Sequence, residues 1–158
     1  MIEPYEFRNA LSRFVSGVTV VTVMDGDEPH GITVSSFMSV SLVPPLIAVA
    51  IGRGARAHDL LRPGRTFGVS VLGKDQQAIS DLFADRPVEL PDPLLIKEGF
   101  PFVDRSLARL LCRVSAAHDA GDHTIFVGEV ERLGYEEGVP LVYHRGRYAR
   151  VGEFDLTE

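Results

Sequence analysis

An aspartate and a histidine stand side by side directly before an apolar stretch in the second half of the chain. Asp122 and His123 precede Thr-Ile-Phe-Val at 124–127, a composition typical of a β-strand. We therefore expect the pair at the rim of a β-structure, where Asp122 can orient the imidazole or stabilise its protonated form. A single histidine is more often structural, and that alternative stays open. No second histidine follows at metal-ligand spacing, as in H-E-x-x-H, so we predict no metal site.

A glycine-rich segment, Gly52-Arg53-Gly54-Ala55-Arg56-Ala57, follows a predicted strand and precedes a predicted helix. It matches G-x-G-x-x-A, and Asp75, about 20 residues further on, completes the formal fingerprint of a Rossmann dinucleotide site. We do not predict a Rossmann fold, because Pro63-Gly64 ends the helix and the second half lacks repeating βαβ units. The two glycines, the helix N-terminus and Arg56 could still form a phosphate cradle. A solvated glycine turn is the alternative.

A third segment, residues 30–41, is rich in small side chains. Ser35, Ser39 and Ser41 share one phase, so an extended segment would place them on one face. Such a strand lets a planar ring lie close to backbone N–H and C=O groups, and a flavin needs donors near N1 and O2 and a partner at N5. An edge strand with solvated serines is the alternative. The chain has no G-x-S-x-G elbow, so we do not predict a serine hydrolase.

Length, charge and composition limit the class of protein. The 158 residues predict one domain, 1–158. A net charge of −6, with 16 dispersed cations, argues against nucleic acid binding, which needs clustered cations. The one cysteine, Cys112, excludes an intrachain disulfide and is predicted to be buried among apolar neighbours. We expect a cytoplasmic protein that spans no membrane, because no apolar stretch reaches about 20 residues and the N-terminus lacks a secretory-signal pattern.

The spacing of apolar residues predicts more strands than helices. Phe7, Ala10, Leu11 and Phe14 recur at helical spacing, which predicts an amphipathic helix over residues 3–14. A short helix is predicted within 52–61 and another over 74–84, with Asp75 as its N-cap. Residues 85–104 contain four prolines and are predicted to cross the surface as a long excursion. Strands are predicted at 18–24, 30–37, 46–51, 66–72, 107–117 and 124–133, with a closing pair at 141–143 and 147–149.

Short turns join most of the predicted neighbouring strands. Asp25-Gly26-Asp27 is one, since its glycine tolerates a positive φ. The predicted fold class is therefore mainly β, a largely antiparallel barrel with a few peripheral helices.

Taken together, these segments resemble the flavin reductase family of two-component flavin-dependent monooxygenase systems. The likeness extends over nearly the whole chain, and its strength lies in the shared order and spacing of many short motifs. These are Phe7-Arg8-Asn9-Ala10 with Phe14, Gly17-Val18-Thr19-Val20-Val21-Thr22, His30-Gly31-Ile32-Thr33, Ser39-Val40-Ser41 with Pro45, Leu82-Phe83-Ala84, Gly121-Asp122-His123-Thr124, Gly128-Glu129-Val130, Pro140-Leu141, Tyr143, Gly146 and Tyr148.

The resemblance implies a homodimeric, FMN-binding split β-barrel of antiparallel Greek-key type. It implies hydride transfer from NADH or NADPH to non-covalently held FMN or FAD, with reduced flavin diffusing to a partner monooxygenase. His123 would be the catalytic residue and, with Tyr143 and Gly146, would lie on the nicotinamide side. The implied flavin contacts are Thr33, Val34, Ser35, Ser36, Phe37, Ser39 and Val40 at the ring, and Gly54, Ala55, Arg56, His58 and Asp59 at the phosphates.

Two departures from the family pattern bear on flavin binding. Ser35-Ser36 stand where some relatives carry Asn-Ala, which leaves the choice between FMN and FAD open. Gly54-Ala55 stand where some relatives carry Ser-Ser, which leaves fewer hydroxyl donors near the phosphates. The choice between NADH and NADPH, and whether flavin is prosthetic group or substrate, stays open as well. Two other functions remain alternatives: a flavin- or haem-binding barrel without turnover, and an oxidase of the pyridoxamine-phosphate type.

Overall fold

The structure, a computed structural model, describes residues 1–152. Within them the chain is mainly β, as the sequence predicts. The helices are α1 (Pro4–Leu11), α2 (Arg56–Leu60) and α3 (Gln77–Leu82). The strands are β1 (Ser16–Gly17), β2 (Thr19–Asp25), β3 (Glu28–Val34), β4 (Phe37–Leu42), β5 (Pro45–Gly52), β6 (Thr66–Val71), β7 (Leu94–Lys97), β8 (Phe100–Val103), β9 (Ala108–Ala120), β10 (His123–Tyr135), β11 (Val142–His144) and β12 (Arg147–Ala149).

Seven strands form one sheet in the order β3-β2-β6-β9-β10-β5-β4. β1, β11 and β12 form a second sheet, and β7 pairs with β8. Every pairing is antiparallel, which confirms the predicted fold class. The two predicted hairpins are also present: β2 pairs with β3, and β11 pairs with β12.

The main hydrophobic core lies inside the curve of the seven-stranded sheet. Val34 of β3 and Val49 of β5 belong to one buried cluster, although their strands stand first and sixth in the sheet. In a flat sheet those strands would be about 24 Å apart, since neighbours are spaced about 4.8 Å. The sheet must therefore curl to bring them together. Phe67 and Phe126 fill the space between them, and Cys112 is buried there as predicted.

A second core covers the other face of β2. Val20 packs there with Leu72, Val103 and Leu141, and α3 lies against them through Ile79. β2 is thus buried on both faces, which explains why its sequence is apolar without alternating.

The first helix is shorter than predicted, and its apolar face is not covered by the chain. α1 ends at Leu11 rather than at residue 14. The hydroxyl of Ser12 donates to the carbonyl oxygen of Asn9, a local bond that competes with further helix. Phe7, Leu11 and Phe14 are 54%, 57% and 81% exposed, so the face that the sequence identifies as apolar lies at the surface.

The segment predicted as one strand over 30–37 is divided between the two edges of the sheet. β3 ends at Val34 and β4 begins at Phe37. Further along, Ser39 pairs with Ile47 and Ser41 with Leu46, so a bulge lies between the two serines. The common phase predicted for Ser35, Ser39 and Ser41 is therefore wrong.

Two other predictions about connecting segments are also wrong. Asp75 does not cap α3: the N-cap is Gln76, whose side chain accepts from the N–H of Gly73 and donates to the carbonyl of Asp104. The excursion over 85–104 is not wholly at the surface, because β8 is buried along its length. The hydroxyl of Thr22 donates to the Pro101 carbonyl at 2.7 Å, so proline here marks a covered edge strand rather than a solvated loop.

Candidate active site

The carboxyl end of β5 is where the three chemistry-bearing segments meet. β5 lies between β4 and β10, with Gly52 opposite His123. Ser36 binds the same strand at Ala50, two residues before Gly52. Its hydroxyl donates to the carbonyl of Ala50 at 2.8 Å and accepts from the N–H of Ala50 at 3.1 Å. Ser36 and His123 therefore flank the same strand end, from which the glycine-rich turn departs.

His123 is held by the aspartate that precedes it. Its Nδ1 lies 2.7 Å from Oδ1 of Asp122, and this hydrogen bond, followed by the charge of the imidazole, lowers the pKa of Asp122. A carboxylate only accepts, so Nδ1 carries the hydrogen and Nε2 is the acceptor in the neutral ring. Among residues 1–152, Nε2 has no hydrogen-bond partner. A Cβ at Gly52 would lie 3.7 Å from Nε2, so the ring covers this glycine.

The glycine-rich turn exposes backbone rather than side chain. Ala55 donates its N–H to the carbonyl of Gly52 at 3.0 Å, and α2 follows directly. A Cβ added at Gly54 would meet nothing within 4 Å, so the space beside it is open. The N–H of Arg53 donates to the Asp122 carbonyl at 3.0 Å, which ties this turn to the turn that carries His123.

Each arginine of the turn is paired with an aspartate that the sequence reasoning missed. A guanidinium nitrogen of Arg56 contacts a carboxylate oxygen of Asp25, at the end of β2. Arg53 lies 2.8 Å from Asp119 of β9. Asp25 was visible in the sequence as part of a turn, but nothing in its spacing placed it beside residue 56.

His58 and Asp59 follow on α2, and the histidine is engaged by β10. Nε2 of His58 lies 2.8 Å from the hydroxyl of Thr124, and its ring meets Phe126 edge-on at 5.7 Å between centroids. Nδ1 is 3.5 Å from a carboxylate oxygen of Asp59, whose side chain is largely exposed. The structure thus gives His58 a supporting position under the turn.

The predicted ring-binding residues differ in how accessible they are. Thr33 is anchored to α3: its hydroxyl donates to the Ser80 carbonyl at 2.6 Å and its N–H to the Phe83 carbonyl at 2.9 Å. Val34 is buried in the core. Ser35 and Ser36 between the strands are exposed, and Phe37 is half-buried. Ser39 and Val40 are exposed further along β4.

Tyr143 and Gly146 lie in the closing hairpin, which docks on α3. The ring of Tyr143 meets Tyr148 at 5.5 Å, and Oη of Tyr148 lies 2.8 Å from both Ser80 Oγ and Asp81 Oδ1. Burial raises the pKa of Tyr148, so its hydroxyl stays protonated. Gly146 has φ +75° at the hairpin tip, a conformation that favours glycine.

The predicted residues therefore form two groups joined by a short segment. Ser36, the glycine-rich turn and His123 meet at the end of β5, whereas Thr33 and Tyr143 belong to the surroundings of α3. Residues 33–36 connect the two groups. Cavities of about 430 Å³ and 290 Å³ lie beside Lys74, Asp75 and Val139, away from the β5 end. At the β5 end Ser36, Arg53 and Gly54 are exposed, and an open cavity of about 490 Å³ lies beside His58 and Asp59.

Residues 1–152 contain neither a metal-ligand cluster nor a membrane-spanning helix. No group of three or more His, Cys, Asp and Glu side chains is placed to hold a metal ion there. In the same part of the chain, no helix has the length and apolar character needed to cross a membrane.

Fold and site together define the class: a mainly antiparallel β-protein whose candidate site combines a strand end, a glycine-rich turn and an oriented histidine. A family model described as flavin reductase like domain matches residues 11–152. The chain belongs to this family, which confirms the resemblance drawn from its motifs.

Named relatives cover almost the whole chain. An NADH-dependent flavin reductase from Rhodococcus sp. is 43% identical over 152 residues, covering 93% of this chain and 86% of that protein. The reductase component of 4-hydroxyphenylacetate 3-monooxygenase from Thermus thermophilus is 44% identical over 146 residues, covering 92% and 95%. Among solved structures, the NADH:FAD oxidoreductase of Streptomyces globisporus in complex with NAD and FAD fragments is 35% identical, with a TM-score of 0.88 over 100% of this chain and 99% of that one.

Proposed function

We propose that this protein is an NAD(P)H-dependent flavin reductase, which transfers hydride from NADH or NADPH to non-covalently held FMN or FAD. The observation that carries the proposal is the membership in the flavin reductase family over residues 11–152. Relatives above 40% identity are named as an NADH-dependent flavin reductase and as a monooxygenase reductase component. We further propose that reduced flavin diffuses to a partner monooxygenase in the cytoplasm.

The residues at the β5 end fit a phosphate-bearing flavin. Gly54 leaves open space where a side chain would stand, so an anion can approach the backbone. In the described part of the chain the N–H groups of Gly54 and Arg56 have no acceptor, and both are available as donors. Backbone N–H groups at a glycine-rich turn before a helix are a common way to bind phosphate.

The segment 33–36 supplies a fixed platform beside this turn. Thr33 is tied to α3 at one end of the segment, and Ser36 is tied to Ala50 at the other. Because both hydroxyls are used internally, the segment presents backbone groups and the exposed Ser35 to a ring. A bound flavin supplies the ring that accepts hydride from a nicotinamide; the protein supplies orientation and electrostatics.

His123 stands on the opposite side of β5 from Ser36. Asp122 fixes its ring, so Nε2 is held beside Gly52 on a half-exposed side chain. We propose that this atom binds the nicotinamide nucleotide, with Tyr143 and Gly146 closing the site from the β11–β12 hairpin beside α3. Positioning of two reacting rings is a large part of catalysis when the cofactors carry the chemistry.

We also propose that the protein is a homodimeric split barrel in which a second copy covers β4 and α1. β4 is an edge strand; Met38, Val40 and Leu42 on it and Val43 directly after it are 48–92% exposed. An exposed apolar edge is normally covered, because it would otherwise aggregate. Light scattering should give a dimer mass, and Leu42→Glu should lower it. A wild-type monomer with full activity would contradict this assembly.

The function is tested by the colour of the protein and its response to a nicotinamide. Purified protein mixed with FMN or FAD should bind the flavin, and anaerobic NADH or NADPH should bleach the visible absorption of the oxidised ring. If flavin binds but neither nucleotide bleaches it, the protein binds flavin without reducing it. No flavin bound at all would contradict the proposal.

A further inference from the structure

An ion pair joins the glycine-rich turn to the tip of the β2–β3 hairpin. A guanidinium nitrogen of Arg56 contacts a carboxylate oxygen of Asp25. Asp25 ends β2 and pairs with Glu28 across the hairpin, and Arg56 begins α2, so both backbones are held. The side chains are 36% and 62% exposed, so a solute can reach the pair.

We propose that Asp25 competes with the phosphate of the flavin for Arg56 and so limits flavin affinity. The inference rests on the proposed function, because it takes the glycine-rich turn to be the phosphate site. It adds a residue, Asp25, to the determinants of that site. An affinity limit suits a reductase whose reduced flavin must leave for another protein.

The competition follows because the turn offers one cation, Arg56, to both the Asp25 carboxylate and a phosphate. Arg53, the other arginine of the turn, is held by two partners: it pairs with Asp119 on β9, and its Nε–H donates to the Gly121 carbonyl at 3.2 Å. In the part of the chain that the structure describes, the more exposed Arg56 side chain contacts Asp25 alone. Arg56 is therefore the cation that a phosphate would engage, and a carboxylate already contacts it. An exposed ion pair contributes little to stability, so an incoming phosphate can displace Asp25. The displaced carboxylate then remains close to the anion and repels it.

The neighbouring histidine does not supply the missing positive charge near neutral pH. His30 lies beside the pair, and burial, followed by the charge of Arg56, lowers its pKa. Asp25 and Asp85 act in the opposite direction and do not overcome that effect. A neutral His30 leaves Arg56 shared between the carboxylate and the ligand.

The test is Asp25→Asn, which keeps the shape of the side chain and removes its charge. Titration of FMN into the apoprotein, followed by quenching of flavin fluorescence, should give a Kd lower by about two- to fivefold. Riboflavin, which lacks the phosphate, should bind with an unchanged Kd. Asp27→Asn is the matched control, because Asp27 is exposed in the same turn and has no ion pair within residues 1–152. This control should leave both Kd values unchanged.

A double-mutant cycle with Arg56→Ala separates competition from a general charge effect. Arg56→Ala should weaken FMN and leave riboflavin unchanged, and in that background Asp25→Asn should change the FMN Kd far less than in the wild type. Thermal melts establish that each variant folds.

Four outcomes would overturn the inference while leaving the proposed function intact. Weaker FMN binding by Asp25→Asn would mean that Asp25 positions Arg56 for the phosphate. An unchanged FMN Kd would mean that the carboxylate does not compete with the phosphate. An equal gain for riboflavin, or the same gain from Asp27→Asn, would mean that the effect does not act through Arg56 and the phosphate. Failure of the wild-type protein to bind FMN, FAD or riboflavin would overturn both this inference and the proposed function.

Discussion

Nδ1 of His123 lies 2.7 Å from Oδ1 of Asp122, and the imidazole it belongs to covers Gly52 at the end of β5. The residue pair is adjacent in sequence, in the turn at Gly121, whose φ of +65° favours glycine. The turn therefore sets the direction of the ring before any ligand is present. This pre-set direction makes the kinetic role of His123 testable with one substitution.

Substitution of His123 by Ala should raise the KM for NADH or NADPH and keep flavin affinity within about twofold. This is the pattern expected when a contact made equally in the ground and transition states is lost. Steady-state kinetics with each nucleotide, together with flavin titration, measure it. Asp122→Asn should give a smaller change of the same kind, because the ring is kept and its orienting charge is lost.

A fall in kcat at saturating nucleotide would instead mean that His123 orders the reacting rings. Unchanged kinetics with a lower Tm would remove it from the site and leave a structural role at the turn. The N–H of Arg53 is bonded to the Asp122 carbonyl, so a change at His123 could also disturb the glycine-rich turn. An unchanged flavin affinity would show that this turn is intact and that the effect is specific to the nucleotide.

Gly128 should not tolerate even a methyl group. A Cβ there would lie 2.5 Å from Cζ of Phe67, a fully buried ring, and 3.1 Å from Cβ of Cys112. Gly128→Ala should therefore lower the free energy of unfolding by about 1–3 kcal/mol, the usual cost of overpacking. Chemical denaturation measures this change. Gly54→Ala is the control, since its Cβ meets nothing, and its stability should stay near that of the wild type.

The same control variant carries information about the phosphate site. If the backbone at Gly54 meets a phosphate, Gly54→Ala should weaken FMN more than riboflavin while its Tm is kept. Equal effects on the two flavins would mean that the turn does not contact the phosphate.

Cys112 should be unreactive in the folded protein. Its side chain is buried in the main core, and burial raises its pKa to about 12, so almost no thiolate forms near neutral pH. In the absence of denaturant, a thiol reagent in excess should modify less than about a tenth of the protein. When denaturant is added, the modified fraction should rise with the fraction of protein that is unfolded. Fast labelling of the native protein would contradict the burial of Cys112 in the main core.

Local sequence patterns predict most helices, strands and turns, because the spacing of apolar residues and the residues of a turn are set within a few positions of the chain. The hairpin at Gly26 and the closing pair around Gly146 follow from such patterns. The bulge between Ser39 and Ser41 did not, since it is set by pairing with β5. The burial of β8 was missed for the same reason, because the carbonyl of Pro101 finds its partner in Thr22, 79 residues away.

The sequence points to candidate site residues but not to the contacts between them. Motifs single out His123 and Gly54, and the family resemblance implies Ser36; the structure brings these three residues to one strand end, while their roles stay predictions. The partners that constrain them come from distant parts of the chain. Asp25 reaches Arg56 across 31 residues, and no spacing rule in the sequence connects the two.

The pKa of His30 is lowered chiefly by burial and then by the charge of Arg56. An unfolded chain restores the ordinary histidine pKa of about 6.5, so near that pH the unfolded state binds more protons than the folded state. The free energy of unfolding therefore rises with pH in this range. The stabilisation that His30 contributes is complete above about pH 6.5. It is lost as the pH falls from there towards the lower pKa of His30 in the folded state.

His30→Gln should remove that part of the pH dependence. The Tm of the wild type should fall between about pH 7 and about pH 5 by more than that of the variant, since the variant has no imidazole to protonate. His118→Gln, which removes an exposed histidine on β9, is the control for loss of an imidazole elsewhere. NMR titration of the His30 ring then tests its neighbours: Asp25→Asn should lower its pKa further, and Arg56→Ala should raise it. Opposite shifts, or identical pH profiles for wild type and His30→Gln, would mean that His30 does not lie in the Asp25–Arg56 cluster.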